Sequence, residues 1–318
     1  MGKYLLKRIL LLIPTLFFVC FVVFAMMRFI PGSAIDVIVS KMQSAGGGEI
    51  NREAVEQMLG LDKPFLTQFF SWLGNLLKGD WGKSFFQSGS ILSILAREIP
   101  VTLELGVLTL ILSNLIAIPL GMYCATHLDT VTDTTIRAIS VALMSVPVFW
   151  IATLVLVYPA IWFGYAPPTK YYSFFEDPVQ NLQMFLVPSI LGAMTTAGAQ
   201  LRNVRSLILE VLGQDYIRTA WAKGDRQRRV LYGHALRNAL IPIITMIGGN
   251  IGGLMGGSVV LEQMFNIPGM GRQVVMALTN RDYPLVEGCV LMIAIVTMVV
   301  NLIVDIAYKW VDPRVKIE

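Results

Sequence analysis

Charge is scarce in this chain. Of 318 residues, only 14% are Asp, Glu, Lys or Arg, against about a quarter in an ordinary soluble domain. Surface that faces water needs charge, yet 55% of the residues are apolar and the mean hydropathy is +0.65. Lipid must therefore be the solvent over much of the molecule. Cysteine is scarce as well: Cys20, Cys124 and Cys289 are odd in number and lie inside apolar runs without C-x-x-C spacing, so neither a disulfide framework nor a zinc site is indicated. His127 and His234 are the only histidines and stand far apart. No H-E-x-x-H pair and no G-x-x-x-x-G-K-[ST] phosphate loop occur, so no metal and no nucleotide is expected on this chain. A membrane enzyme would cluster His, Cys or carboxylates at the end of a span, and no such cluster is evident. A nucleic-acid partner is not expected.

Long apolar runs are plentiful. Crossing the hydrocarbon takes about 20 apolar residues in a helix, and six windows meet or approach that length: 9–30, 101–124, 138–163, 184–201, 241–261 and 286–308. The fourth is the shortest and carries Thr195, Thr196 and Gln200. The alternation of barrel strands is absent, so the expected fold is all-α and integral to the membrane, with six transmembrane helices. The N-terminal run, Ile9 to Met27, follows Lys3, Lys7 and Arg8 as in a signal peptide. It exceeds the ~7–15 residues of a signal core and lacks a clear small-x-small site, so it reads as a retained span.

Basic residues near span ends set the orientation. Residues 1–8 carry three basic groups and no acid, and 202–237 carry eight basic and three acidic residues. Both segments, and with them both termini, are placed in the cytoplasm. The connection 125–137 runs against this rule, since Asp129 and Asp133 outnumber Arg137. The division along the chain is then 1–30 as tail and first span, 31–100 as an extracellular segment, and 101–318 as the core with five spans. Within 31–100, GGG at 45–47 reads as a turn and Arg52–Leu61 as helix-like.

The second basic segment holds a compact elbow, YIRTAWAKGDRQRRVLYGHALRNALIP, residues 216–242. Residues 207–223 read as helix, with Ile217, Ala220, Trp221 and Gly224 sharing one face. Gly224 breaks the run, and Asp225 is placed to cap a second helix carrying Val230, Leu231, Ala235, Leu236 and Ala239. That helix feeds the fifth span at Pro242. Two readings of the elbow stand side by side. Its cations either hold the loop inside against anionic headgroups, or its amphipathic face docks into a groove on another protein. Charge retention alone does not require an apolar helical face.

The elbow resembles the EAA coupling loop of bacterial ABC importer permeases. Tyr216, Ile217, Arg218, Thr219, Ala220, Ala222, Lys223 and Gly224 match in a row, and Arg229, Val230, His234, Ala235, Leu236, Arg237, Asn238, Ala239 and Pro242 follow at the family spacing. Trp221 stands where that family commonly has a basic residue, and Asp225 where an apolar one is usual. Further pieces recur in order: RFIPGSA (28–34), LGLDKP (59–64), GDWGKSF (79–85), TLELG (102–106), SVPVFW (145–150), NIPGMGR (266–272), RDYPLVEG (281–288) and DPR (312–314). Together they resemble the B-type permease of dipeptide, oligopeptide and nickel importers. The resemblance implies the ABC importer permease fold, with a loop over 207–240 that inserts into a cytoplasmic ATPase. It implies a homologous second permease, two ATPases carrying ATP and magnesium, and an extracellular solute-binding protein. Di- or oligopeptides are the implied cargo, with nickel, glutathione or another small solute as the alternative. A secondary carrier or channel is the rival class. It predicts inverted repeats and charged or unwound mid-membrane sites, neither of which is seen.

The fifth window contains GGNIGGLMGG, with Gly248, Gly252 and Gly256 beside Gly249, Gly253 and Gly257 at four-residue spacing. Such ridges let helix backbones meet closely. The alternative is a moving surface or pathway wall beside a partner, with Asn250 and Met255 facing the passage. Pro14, Pro119, Pro147, Pro188 and Pro242 are read as ordinary kinks in or at spans. Glu104, Glu262, Glu287 and Asp305 are expected near span ends within reach of water. Tyr165, Tyr171, Tyr172, Phe174 and Phe175 read as an aromatic belt or as a contact for an extracellular binding protein.

Overall fold

The computed structural model describes residues 2–29, 62–251 and 258–311, with positions 35, 36, 39, 43, 52, 53, 56, 253 and 256 between them. The GGG at 45–47, most of the piece expected as helix at 52–61, residues 30–34 of RFIPGSA, 59–61 of LGLDKP, Gly252, Met255, Gly257 and the DPR at 312–314 lie outside the described residues. The described chain is helical, and the only β feature among these residues is an isolated bridge between Lys83 and Ser90. Among the described residues, five helical segments are long and apolar enough to cross a membrane: Leu10–Phe29, Ile91–Thr126, Pro178–Leu212, Arg229–Asn250 and Tyr283–Ile306. A sixth is a helix pair, Val131–Ser145 and Val148–Phe163, bent by 87°.

That pair covers the expected third span at 138–163 and turns the kink expected at Pro147 into a break between two helices. Pro147 sits at the N-cap of the second helix rather than inside a kinked one. Proline disfavours the helical conformation in the residue before it, and Val146 lies in the extended region at φ −86°, ψ 126°. The motif SVPVFW is this corner.

The chain divides into two compact units, one formed by residues up to Val101 with Pro268–Met298, the other by Thr102–Ile267 with the chain from Val299. The first holds α1 (Gly2–Phe29), α2 (Phe65–Leu77), the start of α3 (Ile91–Thr126), α10 (Met270–Asn280) and the first part of α11 (Tyr283–Val311). Its core is aromatic. Phe24 meets Phe69 edge-on at 5.4 Å and tilts over Trp72 at 5.3 Å, and Cys20 and Leu291 close the cluster.

Three motifs that are scattered along the sequence converge in this unit. In GDWGKSF, Gly79 and Gly82 take φ +84° and +79°, which a side chain resists, and the Asp80 carboxylate accepts from the Gly82 N–H at 2.9 Å. Ser84 Oγ and the Phe85 N–H both donate to Asp282 of RDYPLVEG. Glu287 of the same motif pairs with Arg28 of α1, whose guanidinium lies 3.6 Å above the Phe24 ring. Gly288 is required because a Cβ there would stand 2.5 Å from Ile91. Glu287 lies near the start of its helix as expected, with its side chain buried against Arg28.

The second unit holds the rest of α3, α4 (Val131–Ser145), α5 (Val148–Phe163), α6 (Pro178–Leu212), α7 (Asp215–Ala222), a π-helical stretch Arg229–Leu236, α8 (Arg237–Ile251) and α9 (Val259–Met264). Asp177 caps α6 by accepting from the Val179 and Gln180 N–H groups at 3.1 Å, with Pro178 at its first position, an arrangement that satisfies exposed donors without requiring one from proline. α6 runs for 35 residues, well beyond the expected window 184–201. Glycines let it approach its neighbours closely: a Cβ on Gly198 would stand 2.8 Å from the Ser140 carbonyl of α4, and one on Gly121 would stand 2.8 Å from Val204. Val204 and Ile208 of α6, Ala239 and Ile243 of α8, and Met122 and Ala125 of α3 form one buried cluster.

Asp133, near the start of α4, is fully buried and accepts from Arg205 Nε and Nη2, both at 3.0 Å, with Arg137 3.2 Å away. A planar guanidinium matches a carboxylate in this bidentate manner. The acidic connection that ran against the charge rule is thus neutralised internally: Asp133 belongs to a buried ion pair and presents no charge to a membrane surface.

Candidate functional site

The elbow is a built structure. α6 ends at Leu212, and Gly213 separates it from α7, so the helix expected over 207–223 is two helices. Lys223 follows α7, and Gly224 turns the chain at φ +81°. The anticipated cap by Asp225 is not what forms. The next helix has no side-chain cap, and the Asp225 carboxylate instead meets Arg229 at 3.2 Å and His234 Nε2 at 3.4 Å. These contacts tie the turn to the π-helical stretch that follows. A π turn places each N–H five residues beyond its acceptor and widens the helix, and such turns recur at functional places. Asn238 Nδ2 donates to the His234 carbonyl at 2.8 Å, carrying the chain into α8.

The two faces of the elbow differ. Ile217, Ala220, Val230 and Ala235 are buried together against Val211 and Leu212 at the end of α6. The other face is open: Tyr216, Arg218, Thr219, Trp221, Lys223, Gly224, Arg229, Arg237 and Asn238 are exposed, and His234 is half-buried. Trp221 is 46% exposed and Tyr232 62%. Trp221 therefore does not share the buried face with Ile217 and Ala220, as the helical spacing had implied. The side chains facing outward include three aromatics, Tyr216, Trp221 and Tyr232, among six cations and small polar groups; aromatics and arginines are enriched at protein interfaces.

A cavity of about 380 Å³ lies in the same unit. Thr109 and Ser113 of α3, Thr195, Thr196, Gln200 and Asn203 of α6, Gly249 and Asn250 of α8, and Gly253 and Ser258 contribute to its wall. The polar residues that made the fourth window a poor span are those that face this space. Gly248 is buried, whereas Gly249 and Gly256 have no heavy atom within 4 Å of where a Cβ would stand, and Gly253 meets only its own turn at 3.4 Å. Among the described residues of this unit, Gly121, Gly192 and Gly198 are the glycines in close contact, and no pattern in the sequence marks them.

Elbow and cavity share their helices. α6 bears Gln200 and Asn203 on the cavity wall and ends where the elbow's buried face docks. α8 starts in the elbow and reaches Gly249 and Asn250 within its 15 residues, about 22 Å at 1.5 Å per residue. The buried cluster between α3, α6 and α8 locks these paths together.

Glu262 of α9, expected near water, is fully buried and accepts from Thr102 Oγ1 and Ser258 Oγ at 2.8 Å each. Ser258 thus joins the cavity wall to a buried carboxylate. Tyr171 leaves the aromatic group around it: its hydroxyl donates to Glu104 at 3.4 Å, and its ring meets Phe185 edge-on. Burial, and next the Glu104 carboxylate, push the Tyr171 phenol above its ordinary range, so it remains a donor at neutral pH. Phe175 nearby is 94% exposed. Among the described residues no group of three His, Cys, Asp or Glu side chains could hold a metal.

Comparison with known proteins agrees with this geometry. Residues 117–317 match the family model described as binding-protein-dependent transport system inner membrane component, and residues 1–106 match the model of its N-terminal membrane component. A putative peptide transport system permease protein of Brucella abortus is 36% identical over 316 residues, covering 99% of both chains. The oligopeptide transport system permease protein of Bacillus subtilis is 35% identical, covering 99% of this chain and all of its own length. The dipeptide transport system permease protein of Escherichia coli is 32% identical, with 99% of each chain covered. With its membrane-length helices, its anchored elbow and these matches along its whole length, the chain belongs to the family of binding-protein-dependent transport system inner membrane components.

Proposed function

We propose that this chain is the permease subunit of an ATP-driven importer of di- or oligopeptides, and that it receives nucleotide energy through the elbow residues 216–239. The observation that carries the coupling role is the two-sided elbow: a buried inner face fixed to α6 and an outer face bearing Tyr216, Trp221 and exposed cations. A loop held only by lipid charge would need no such anchor. In this reading each elbow seats in a cytoplasmic ATPase, with a second, homologous permease completing the pathway and an extracellular solute-binding protein delivering cargo. Closing of the ATPases displaces the elbow as a body, and α6 and α8 carry that displacement to the wall of the cavity. The packed cluster between α3, α6 and α8, which lies along both helices, supports this link. Gly249, Asn250 and Gly253 then belong to the translocation path, and their lack of close neighbours leaves room for movement or for the partner permease. Peptide cargo is supported by the names of the relatives above, which are those of peptide transport systems.

The test is reconstitution with both permeases, the ATPases and the binding protein. Peptide should stimulate ATP hydrolysis and be accumulated. Trp221→Asp places a charge in the docking face, and Gly224→Pro forces φ near −65° where the turn needs +81°. Both variants should insert into the membrane and lose ATP-driven uptake. Normal uptake by both would remove the coupling assignment. Stimulation by a nickel chelate or glutathione, with none by peptides, would remove the peptide assignment.

A further inference from the structure

α2 belongs to the stretch 31–100, expected outside the membrane, and it has three distinct faces. Phe65, Phe69 and Trp72 pack on Phe24 of α1. Gln68, Ser71 and Asn75 line a cavity bordered by Arg28 and Glu287. Leu66, Phe70 and Leu77 follow one another at four and seven residues, so they share a third face of the helix, and they are 58%, 59% and 83% exposed. A contiguous apolar patch of this kind marks a surface with a partner. The 13 residues of α2 reach only about 20 Å, too short to cross the hydrocarbon.

The contacts with α1 fix the depth of this patch. Phe69 meets Phe17 at 5.8 Å and Phe21 at 5.4 Å, both edge-on. Both partners lie within the membrane-length stretch Leu10–Phe29. Phe21 stands eight residues before Phe29 and Phe17 twelve, so they are about 12 and 18 Å from that end at 1.5 Å per residue. A ring touching both lies inside any bilayer that α1 crosses. Phe18, at the same level of α1, is 66% exposed, so lipid already reaches this depth. Lys63 precedes α2 and Lys78 follows it, both exposed, and their long stems let the ammonium groups stay in water.

We infer that α2 is inserted in the membrane leaflet at the Arg28 end of α1, with Leu66, Phe70 and Leu77 against acyl chains and Gln68, Ser71 and Asn75 toward water. The orientation set by the basic residues makes this the outer leaflet. The inference is independent of the cargo and of the elbow. An amphipathic helix lying in the interface buries one face in the acyl region and keeps the other wet. Burying the three apolar side chains in hydrocarbon stabilises this placement in proportion to the area removed from water. α2 thus holds the first unit to the bilayer in addition to its spans, and its polar face gives Arg28 and Glu287 an opening at the membrane's edge.

The experiment uses the full complex, with second permease and ATPases, in lipid nanodiscs. Leu66→Cys, Phe70→Cys, Leu77→Cys and Ser71→Cys each carry a nitroxide, and Phe18→Cys supplies the signal of a site in lipid. The native cysteines are buried, and the signal of the unsubstituted complex is subtracted. Relaxation by oxygen, which dissolves in hydrocarbon, is compared with relaxation by chromium oxalate, an anion confined to water. The labels at 66, 70 and 77 should behave as the Phe18→Cys label does, with a preference for oxygen about tenfold above that at Ser71→Cys. That pattern supports insertion. Relaxation of the three by chromium oxalate as strong as at Ser71→Cys puts the face in water and overturns it. Weak relaxation by both agents shows protein over the face, from the second permease or from another segment of this chain, and overturns it as well. An oxygen preference at Ser71→Cys equal to the other three overturns the two-sided placement. Should a labelled variant fail to assemble, Phe70→Trp decides by quenching with lipids brominated at mid-chain. Added quenching over the unsubstituted complex supports insertion, and its absence overturns it.

Discussion

The two units treat buried polarity in opposite ways. In the first, a cavity of about 350 Å³ is lined by Arg28, Lys63, Asp80, Lys83 and Glu287 beside Trp72 and Trp81. In the second, the described residues lining the cavity are all neutral, and the ion pair of Asp133 with Arg205 is held between α4 and α6 instead. The difference teaches where charge is structural. Ion pairs close helix contacts in both units, but where helices leave a space in the second unit, charge has been kept out of it.

The largest expected effect comes from breaking the pair away from the neutral cavity. Asp133→Ala leaves Arg205, whose side chain is 17% exposed, without its bidentate partner. Removing one member of a buried pair costs about 3–5 kcal/mol, so thermal unfolding in detergent should shift strongly, and the doubly substituted Asp133→Ala/Arg205→Leu should recover much of the loss. Equal stability of the single and double variants would show that the pair is not what holds α4 to α6. Glu287→Ala should cost less, about 2–3 kcal/mol, because Arg28 is 21% exposed and borders an open cavity that water can reach. A cost above that of Asp133→Ala would reverse the ranking of the two sites.

The smallest effects separate the two kinds of glycine. Gly198→Ala drives a Cβ to 2.8 Å from the Ser140 carbonyl, an overpacking worth about 1–3 kcal/mol of destabilisation. Gly249→Ala meets open space and removes a glycine from a helix, so the chain should gain up to about 1 kcal/mol. Stability measured on the purified chain decides between them, and a destabilised Gly249→Ala would show that this stretch is closely packed after all.

Much of this was legible beforehand, for reasons particular residues make clear. The elbow could be seen because its pattern is local: Gly224 between two amphipathic stretches marks a turn wherever the chain goes. The spans were legible because lipid demands about 20 apolar residues regardless of neighbours. The corner at Pro147 was misread as a kink because one proline signals either, and the helices on each side decide which. The glycine tract at 248–257 advertised itself by repetition, yet Gly249, Gly253 and Gly256 meet no other element closely, and tight contacts fall at Gly121, Gly198 and Gly288, single glycines with no pattern around them. Their need arises from Val204, Ser140 and Ile91, far away in the sequence. Asp133 gave one faint signal, an acidic connection where cations were expected.

Composition and periodicity alone determined that this chain lives in lipid, that it is helical, and that it carries a cationic elbow, because each follows from the solvent and from neighbours within one or two turns. Only the tertiary structure decided that GDWGKSF, RDYPLVEG and Arg28 converge, that Glu262 and Glu287 are buried, and that Gln200 borders a neutral cavity. Those outcomes depend on which distant side chain reaches each group, and a buried polar atom's energy is set by that partner and not by its own position in the chain.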